Sequence, residues 1–320
     1  MEEVGKPVVM DMKLPDPRQP VIVAVSGGVD SVVLLHLLTK AIEDKRRLVV
    51  AHFDHGIRTN SADDKAFVEQ LALKYGLPFE SAEGKLGPDA SEDQARRARY
   101  DFLETVRKKH GAQRVVTAHH QDDLIETAAM NLLRGTGRRG LTSLKSTHQV
   151  WRPLLGKSKE QIKAYARDQG LVWQEDETNA DTRYRRNYIR HVLIPSAQAK
   201  DPQFRQKMLN YIAEARRINR EADAELDKWV AQHGSTSPFG MSVQRHAFIN
   251  LNHQTAREVM MDILRRYGAR DVSKKQLERL TVAAKTAAPG TSHDVCCHVI
   301  MRVYPSGRLD FSERKPVAKS

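Results

Sequence analysis

A run of β-branched and small apolar residues, Val21 to Val25, stops at Ser26-Gly27-Gly28 and gives way to an apolar run with helical spacing, Ser31 to Lys40. A short buried strand, a glycine turn and a helix in that order constrain everything around them. Such a strand needs parallel neighbours, and helices to cover them, so the chain is expected to be α/β. The junction also has a chemistry of its own. Glycines tolerate positive φ and let a ligand approach the backbone closely. The unpaired N–H groups and partial positive charge of a helix start make an anion site. Ser26 and Ser31 add hydroxyl donors, with Val29 and Asp30 between the glycines and Ser31. Asp30 repels a bare phosphate, so its presence implies a cation, most simply Mg2+. The competing reading is a plain glycine turn with Asp30 or Ser31 as a helix cap.

The alternation continues. Strand patterns fall at residues 47–53, 77–83, 114–120 and 148–155, and helix patterns at 61–75, 91–110, 123–133 and 159–169. The expected fold is a parallel sheet with helices on both faces, with ligands bound beyond the carboxyl ends of the strands. After Pro195 the pattern changes to one long, highly charged helix (201–231), a Gly/Ser/Pro-rich break (234–239), a strand (241–251), two helices (255–267 and 273–285) and a hairpin turning at residues 304–308. This predicts a nucleotide-binding domain over 1–200, a connector helix over 201–233 and a small α+β domain over 234–320. Residues 1–19 read as an arm before the first strand, without the apolar segment of a secretory signal. The tail from Glu313 reads as disordered. No window reaches the ~18 apolar residues of a membrane span. The two cysteines, Cys296 and Cys297, are adjacent, which suits strand residues in a reducing cytoplasm rather than a disulfide or a metal pair.

Acids gather in "AHHQDDLIET", residues 118–127, where Asp123 and Glu126 share a helix face. Helix capping explains part of the cluster. Otherwise the acids bind Mg2+ together with Asp30, Asp122 being the candidate, or they hold a cationic amine. In "AHFDHGIR" the tip carries His55 and Arg58, which would lie beside the glycine loop if the strands are neighbours. In "ARRARY", Arg96 and Arg99 share a face that suits phosphate. The net charge is +12, and the excess is patchy. No acid occurs in residues 127–159, which hold Arg134, Arg138 and Arg139, or in residues 182–200, which hold Arg185, Arg186, Asn187 and Arg190. Two such blocks suit a nucleic acid. "GTGRRG" (135–140) follows a helix rather than a strand, so it reads as a flexible basic loop and not a dinucleotide fingerprint. "GKS" (156–158) lacks the upstream glycine of a phosphate loop.

"SGGVDS" resembles the SGGxDS loop of the PP-loop ATP pyrophosphatases, which split ATP into AMP and pyrophosphate. Taken with "HFDHGIR", "ARRARY", "AHHQDDLIET", "LLRGTGRRGL", "RPLL" and "EDETNADTRYRRNYIRHVLIP", the order and spacing are similar to those of the tRNA(Ile)-lysidine synthases over about residues 20–196. The resemblance to the rest of that family is looser and implies a short form without the C-terminal domain of longer members. It implies a soluble cytoplasmic ligase that takes ATP, Mg2+, free L-lysine and the tRNA(Ile) with a CAU anticodon; a homodimer is compatible with the pattern. Residues 26–31, with His55, Arg58, Arg96 and Arg99, would hold ATP. Asp30 and Asp122 would hold the metal, and Asp123 and Glu126 the lysine. Arg134, Arg138, Arg139, Arg185, Arg186, Asn187 and Arg190 would hold the tRNA. The rivals are a tRNA thiolase of the same superfamily, a small-molecule synthetase and a non-catalytic RNA-binding protein.

Overall fold

The computed structural model describes residues 19–54, 61–84, 92–175, 185–237, 240–266, 269, 272–296 and 299–313. It divides into two compact units, Met1–Arg216 and Arg217–Ser320.

In the first unit, β1 (Val21–Ala24), β2 (Leu48–Asp54), β3 (Phe79–Glu83), β4 (Arg114–Val116) and β5 (Val150–Trp151) form one sheet in the order β3-β2-β1-β4-β5. Every pairing is parallel. Side chains alternate across it, as strand geometry requires. Val21, Val23, Leu48, Val50 and Val116 pack with α1 (Val29–Ala41), α2 (Ser61–Tyr75) and α6 (Lys159–Asp168) on one face. Ile22, Val49, Ala51 and Val115 pack against Leu103 and Val106 of α3 (Glu92–Lys109) on the other. The expected sheet with helices on both faces is therefore present. Strand order reverses between β1 and β4, which opens the crevice where such sheets bind ligands. A third cluster joins Leu124, Ile125 and Ala128 of α4 (Gln121–Leu133) to Ile189, Ile194, Met208 and Ile212. It anchors a helical run made of α7 (Arg185–Tyr188), a π-turn (Ile189–Leu193) and α8 (Ile194–Lys200).

Several local expectations change. The fifth strand shrinks to two residues, Val150–Trp151, since Pro153 has no N–H to extend a ladder. The GTGRRG segment is not a free loop. Asn131 Nδ2 donates to Gly140 O at 2.9 Å, Thr136 Oγ1 donates to Asn131 O at 2.9 Å, and α5 (Arg138–Leu141) forms within it. Ser158 of GKS caps α6 in a reciprocal pair with Gln161.

The long helix α9 (Phe204–His233) lies beyond the charged appearance of its sequence: Met208 and Ile212 enter the first unit's core, and Leu226 enters the second's. The second unit has an antiparallel sheet, β6-β7-β10-β9-β8. Its strands are β6 (Gly234–Ser237), β7 (Gly240–Gln244), β8 (Ser292–Cys296), β9 (Val299–Tyr304) and β10 (Arg308–Glu313). The Gly/Ser-rich break thus contributes an edge strand. The strand expected over 241–251 stops at Gln244, and α10 (Arg245–Ile249) begins there. The Arg245 guanidinium fixes that change by donating to the carbonyls of Ala284, Lys285 and Ala287 at the end of α12 (Lys274–Thr286). With α11 (His253–Arg266), the two expected helices and the expected hairpin are all present. Cys296 ends β8, and Cys297 lies outside the described residues. No described helix is long and apolar enough to cross a membrane.

Candidate functional site

The loop after β1 is held open. Gly27 has φ +94°, a conformation other residues rarely adopt, and its carbonyl accepts from Gln174 N at 3.0 Å. Gly28 stands at the N-cap of α1 with no side-chain cap; Ser31 N donates to Gly28 O at 3.0 Å, and the N–H groups ahead of it face the loop for a ligand. Ser31 does not cap the helix. Its Oγ donates to Gly28 O at 2.8 Å and accepts from Ser26 N at 3.2 Å, which ties the two ends of the loop together. The result is a preformed anion cradle.

Asp30 points from this cradle to a residue 129 positions away, accepting from Lys159 Nζ at 2.5 Å on Oδ2. Its other oxygen, Oδ1, is buried without a hydrogen-bond partner. A carboxylate oxygen buried and unsatisfied beside a phosphate cradle fits Mg2+, which takes one or two carboxylates plus phosphate oxygens rather than an all-protein cage. Among the described residues, no group of three or more His, Cys, Asp or Glu is arranged to hold a metal by itself. Asp122 is engaged otherwise. Its Oδ2 accepts from Lys159 N at 2.9 Å, and its Oδ1 pairs with the Arg205 guanidinium.

The acid cluster begins at the start of α4, at the carboxyl end of β4. His120 is the N-cap and forms a reciprocal box with Asp123, whose Oδ2 accepts from His120 N at 2.9 Å. Capping thus uses Asp123, with His120 rather than Glu126 as its partner. Asp123 Oδ1 accepts from Arg186 Nη2 at 2.7 Å. Glu126, its side chain only 3% exposed, accepts from Arg186 Nε at 2.9 Å and from Arg190 Nε and Nη2 at 2.6 and 2.9 Å. Burial alone would raise the Asp123 carboxyl, but His120 and Arg186 outweigh it and hold the group down at about 2. Burial would lower both guanidinium groups, yet the two carboxylates leave Arg186 and Arg190 above their ordinary value.

A second group of cations converges on Tyr100. The Arg96 and Arg99 guanidinium carbons lie 4.8 and 5.6 Å from its ring centroid, and Arg152 Nη2 donates to its hydroxyl at 3.2 Å. Arg152 is buried and also binds Lys145 O. His119, bonded through Nδ1 to Thr117 Oγ1 at 2.8 Å, stays neutral down to about 3. Desolvation is the main cause, and the charges of Arg152, Arg99 and Arg96 add to it against the opposing pull of Asp123.

The structure therefore brings Asp30, Asp122, Asp123, Glu126, Arg186 and Arg190 into one chain of ionic contacts, linked through Lys159 and His120, whose Nε2 lies 3.7 Å from Asp30 Oδ2 and 3.5 Å from Asp123 Oδ2. Arg134 is exposed at the far end of α4, roughly 18 Å along the axis from Asp122 at 1.5 Å per residue. Arg138 and Arg139 follow it in α5. Arg185 is exposed, and Asn187 is partly buried. His55 and Arg58 lie outside the described residues. Lys159, Arg205, Arg152 and Tyr100 were not singled out from sequence as ATP-site residues; the first two carry no local signal, since their partners are 129 and 83 positions away.

The profile of the PP-loop domain family matches residues 5–197. A tRNA(Ile)-lysidine synthase of Thermotoga sp. (strain RQ2) is 40% identical over 190 residues, covering 57% of this chain and 46% of the relative. One from Geobacter sulfurreducens is 33% identical over 317 residues, covering 95% of this chain and 64% of the relative. The chain thus spans about half to two-thirds of the length of these curated relatives. Among solved structures, the U34-tRNA thiolase NcsA of Methanococcus maripaludis aligns with a TM-score of 0.50 at 15% identity, over 62% of this chain and 72% of that chain. At that identity the likeness is one of fold.

Proposed function

The chain belongs to the PP-loop domain family, and from that premise we propose that it adenylates the wobble cytidine of the tRNA(Ile) with a CAU anticodon and then replaces AMP with lysine. The observation that carries this reading is a buried pair of carboxylates, Asp123 and Glu126, saturated by cations and set beside a phosphate cradle. A site that only cut ATP has no need of a second, cation-binding pocket.

In the first step the cytidine C2 oxygen bonds to the α-phosphorus, and the bond to the bridging oxygen of the leaving pyrophosphate breaks. The α1 N–H groups, Ser26 and Ser31 grip the β- and γ-phosphates. Asp30, through its open oxygen, would hold Mg2+, which would offset charge on the pyrophosphate. Lys159 supplies a further positive charge on that side. Arg96 and Arg99 steady the nucleotide, and His55 and Arg58 are assigned to its phosphates. In the second step the lysine ε-amine, after losing a proton, bonds to C2. The C2–O bond breaks, and AMP leaves with that oxygen. Asp123 and Glu126 hold and orient the lysine. The cytidine is unstacked to enter, and Arg134, Arg138, Arg139, Arg185 and Asn187 hold the RNA around it. A reaction on tRNA supports a cytoplasmic location.

The test is pyrophosphate release from ATP and Mg2+, with and without tRNA and lysine. Release that needs tRNA, followed by lysine incorporation, is the expected result. Release without tRNA would sink the lysidine reading.

A further inference from the structure

Asp123 and Glu126 offer four carboxylate oxygens, and each already accepts a hydrogen bond: those of Asp123 from His120 N and Arg186 Nη2, those of Glu126 from Arg186 Nε and from Arg190 Nε and Nη2. We propose that Arg190 holds the place of the substrate amine on Glu126, and that lysine is admitted only when RNA draws Arg190 away. This rests on the reading of Asp123 and Glu126 as the lysine pocket.

The charge count comes first. Two carboxylates and two guanidinium groups form a neutral buried cluster. An entering ammonium raises it to +1 and must share oxygens that the guanidinium groups already hold, and an uncompensated buried charge is strongly disfavoured. One arginine must therefore leave. Arg186 bridges both acids, while Arg190 makes both its short bonds to Glu126 alone, its contact with Asp123 being 3.9 Å. The Arg190 side chain is also the more exposed, 33% against 22% for Arg186. Arg190 is the arginine that leaves, and Arg186 remains as a positioning residue.

The backbone around Arg190 suits such a movement. Arg190 lies within the π-turn Ile189–Leu193, where Ile194 N bonds back to Ile189 O. A π-turn inside an α-helical run is rare and concentrates at functional positions, and an ordinary α register lies one residue away.

The other face of the same segment supplies the signal. Arg185, Tyr188 and His191 are exposed at i, i+3 and i+6, with the Tyr188 side of the helix open to solvent at 47%. An aromatic ring flanked by basic groups is the surface on which an unstacked base and its phosphate dock. RNA bound there offers Arg190 a phosphate in exchange for Glu126. The cell's free lysine then meets an open pocket only after the cytidine is in place.

The experiment is equilibrium dialysis of radiolabelled L-lysine against the full chain, alone and with a CAU anticodon stem-loop plus a non-hydrolysable ATP analogue. The wild type is expected to bind lysine at least tenfold more tightly with the RNA. Arg190→Gln is expected to bind it at least tenfold more tightly than wild type without RNA. Arg190→Lys, which keeps the charge but loses the fork, is expected to fall between. The wild-type comparison stands even if the glutamine variant does not fold. Equal binding with and without RNA, lost in Asp123→Asn, would overturn the counterion role and leave the lysine pocket intact. No lysine binding by the wild type under any condition would remove the pocket reading, and this inference with it.

Discussion

Glu126→Gln tests the buried cluster most directly. The substitution keeps the shape and one carbonyl acceptor but removes the charge that faces Arg186 and Arg190 at 2.6 to 2.9 Å. Two guanidinium groups then share the single charge of Asp123. A contact at ~4 Å is worth roughly 4 kcal/mol at an effective dielectric of about 20, before the desolvation that offsets it. Breaking a fully buried pair costs about 3–5 kcal/mol. Both arginine side chains keep a fifth to a third of their surface in solvent and can rehydrate, which puts the cost at about 2–3 kcal/mol. For a unit of this size that is a fall in Tm of about 5–10 °C. Charge-assisted hydrogen bonds to the substrate amine are worth about 1.5–3 kcal/mol, so kcat/KM for lysine should fall about 10- to 100-fold, while tRNA-dependent pyrophosphate release changes by less than about threefold. Calorimetry reads the first quantity and a two-step assay the second. Equal losses in pyrophosphate release and lysine incorporation would show that Glu126 serves the ATP step, and an unchanged Tm would show that the cluster does not stabilise the fold.

Other outcomes follow from the same geometry. Asp30→Asn should abolish the dependence of pyrophosphate release on Mg2+ concentration along with most of its rate; a normal metal titration would remove Asp30 from the metal site. Gly27→Ala forces a side chain onto φ +94°, which costs about 1–2 kcal/mol, so nucleotide binding by calorimetry should weaken about 5- to 30-fold, and wild-type affinity would mean that the loop relaxes freely. The His119 imidazole is pushed down from 6.5 to about 3, so its contribution is whole above 6.5 and is lost as pH falls through that window; His119→Asn should flatten Tm against pH between 6.5 and ~4, and parallel curves would refute its burial as the cause. The Asp123 carboxyl is depressed from 3.8 to about 2, so its contribution is whole above 3.8 and is lost as pH falls through that window; Asp123→Asn should flatten stability against pH there, measured by circular dichroism, and an unchanged slope would refute the reasoning.

The phosphate loop was legible because everything it needs is contiguous: a strand end, Gly27, Gly28 and a helix start fall within one short stretch. The parallel sheet was legible because the runs Val21–Val23 and Leu48–Ala51 at its centre are fully buried and wholly aliphatic. The strand Gly234–Ser237 was not, since a polar edge strand owes its existence to the neighbour that pairs with it and not to its own residues. Residues 245–249 follow the strand with no Gly, Pro or Asn to break it and so read as its continuation, and the carbonyls at the end of α12 that hold Arg245 are about 40 positions away. The same distance limit shaped the reading of the site. Composition assigns Arg186 and Arg190 to a basic, RNA-facing block, and only the fold shows them turned inward on acids 60 to 64 positions earlier.

That inward turn changes what the positive charge of this chain is for. An acid-free run of arginines reads as a uniform polyanion surface, yet the helical segment from Arg185 divides it by face. Arg186 and Arg190 neutralise buried carboxylates, while Arg185 and His191 are exposed on the outer side. Lys159 is divided from its block in the same way, its ammonium on Asp30 and its backbone N–H on Asp122. A cation therefore occupies the position where the proposed reaction brings an amine, while Mg2+ would meet the open Asp30 Oδ1 beside Lys159. The acid cluster is electrically complete before the amine arrives, and the amine enters by exchange with a side chain and not by filling a void. Exchange lowers the cost of keeping four acids together in an unliganded protein, and it makes each binding step sensitive to whatever else can take up the displaced arginine or lysine. The phosphates of ATP and RNA are the groups able to do so.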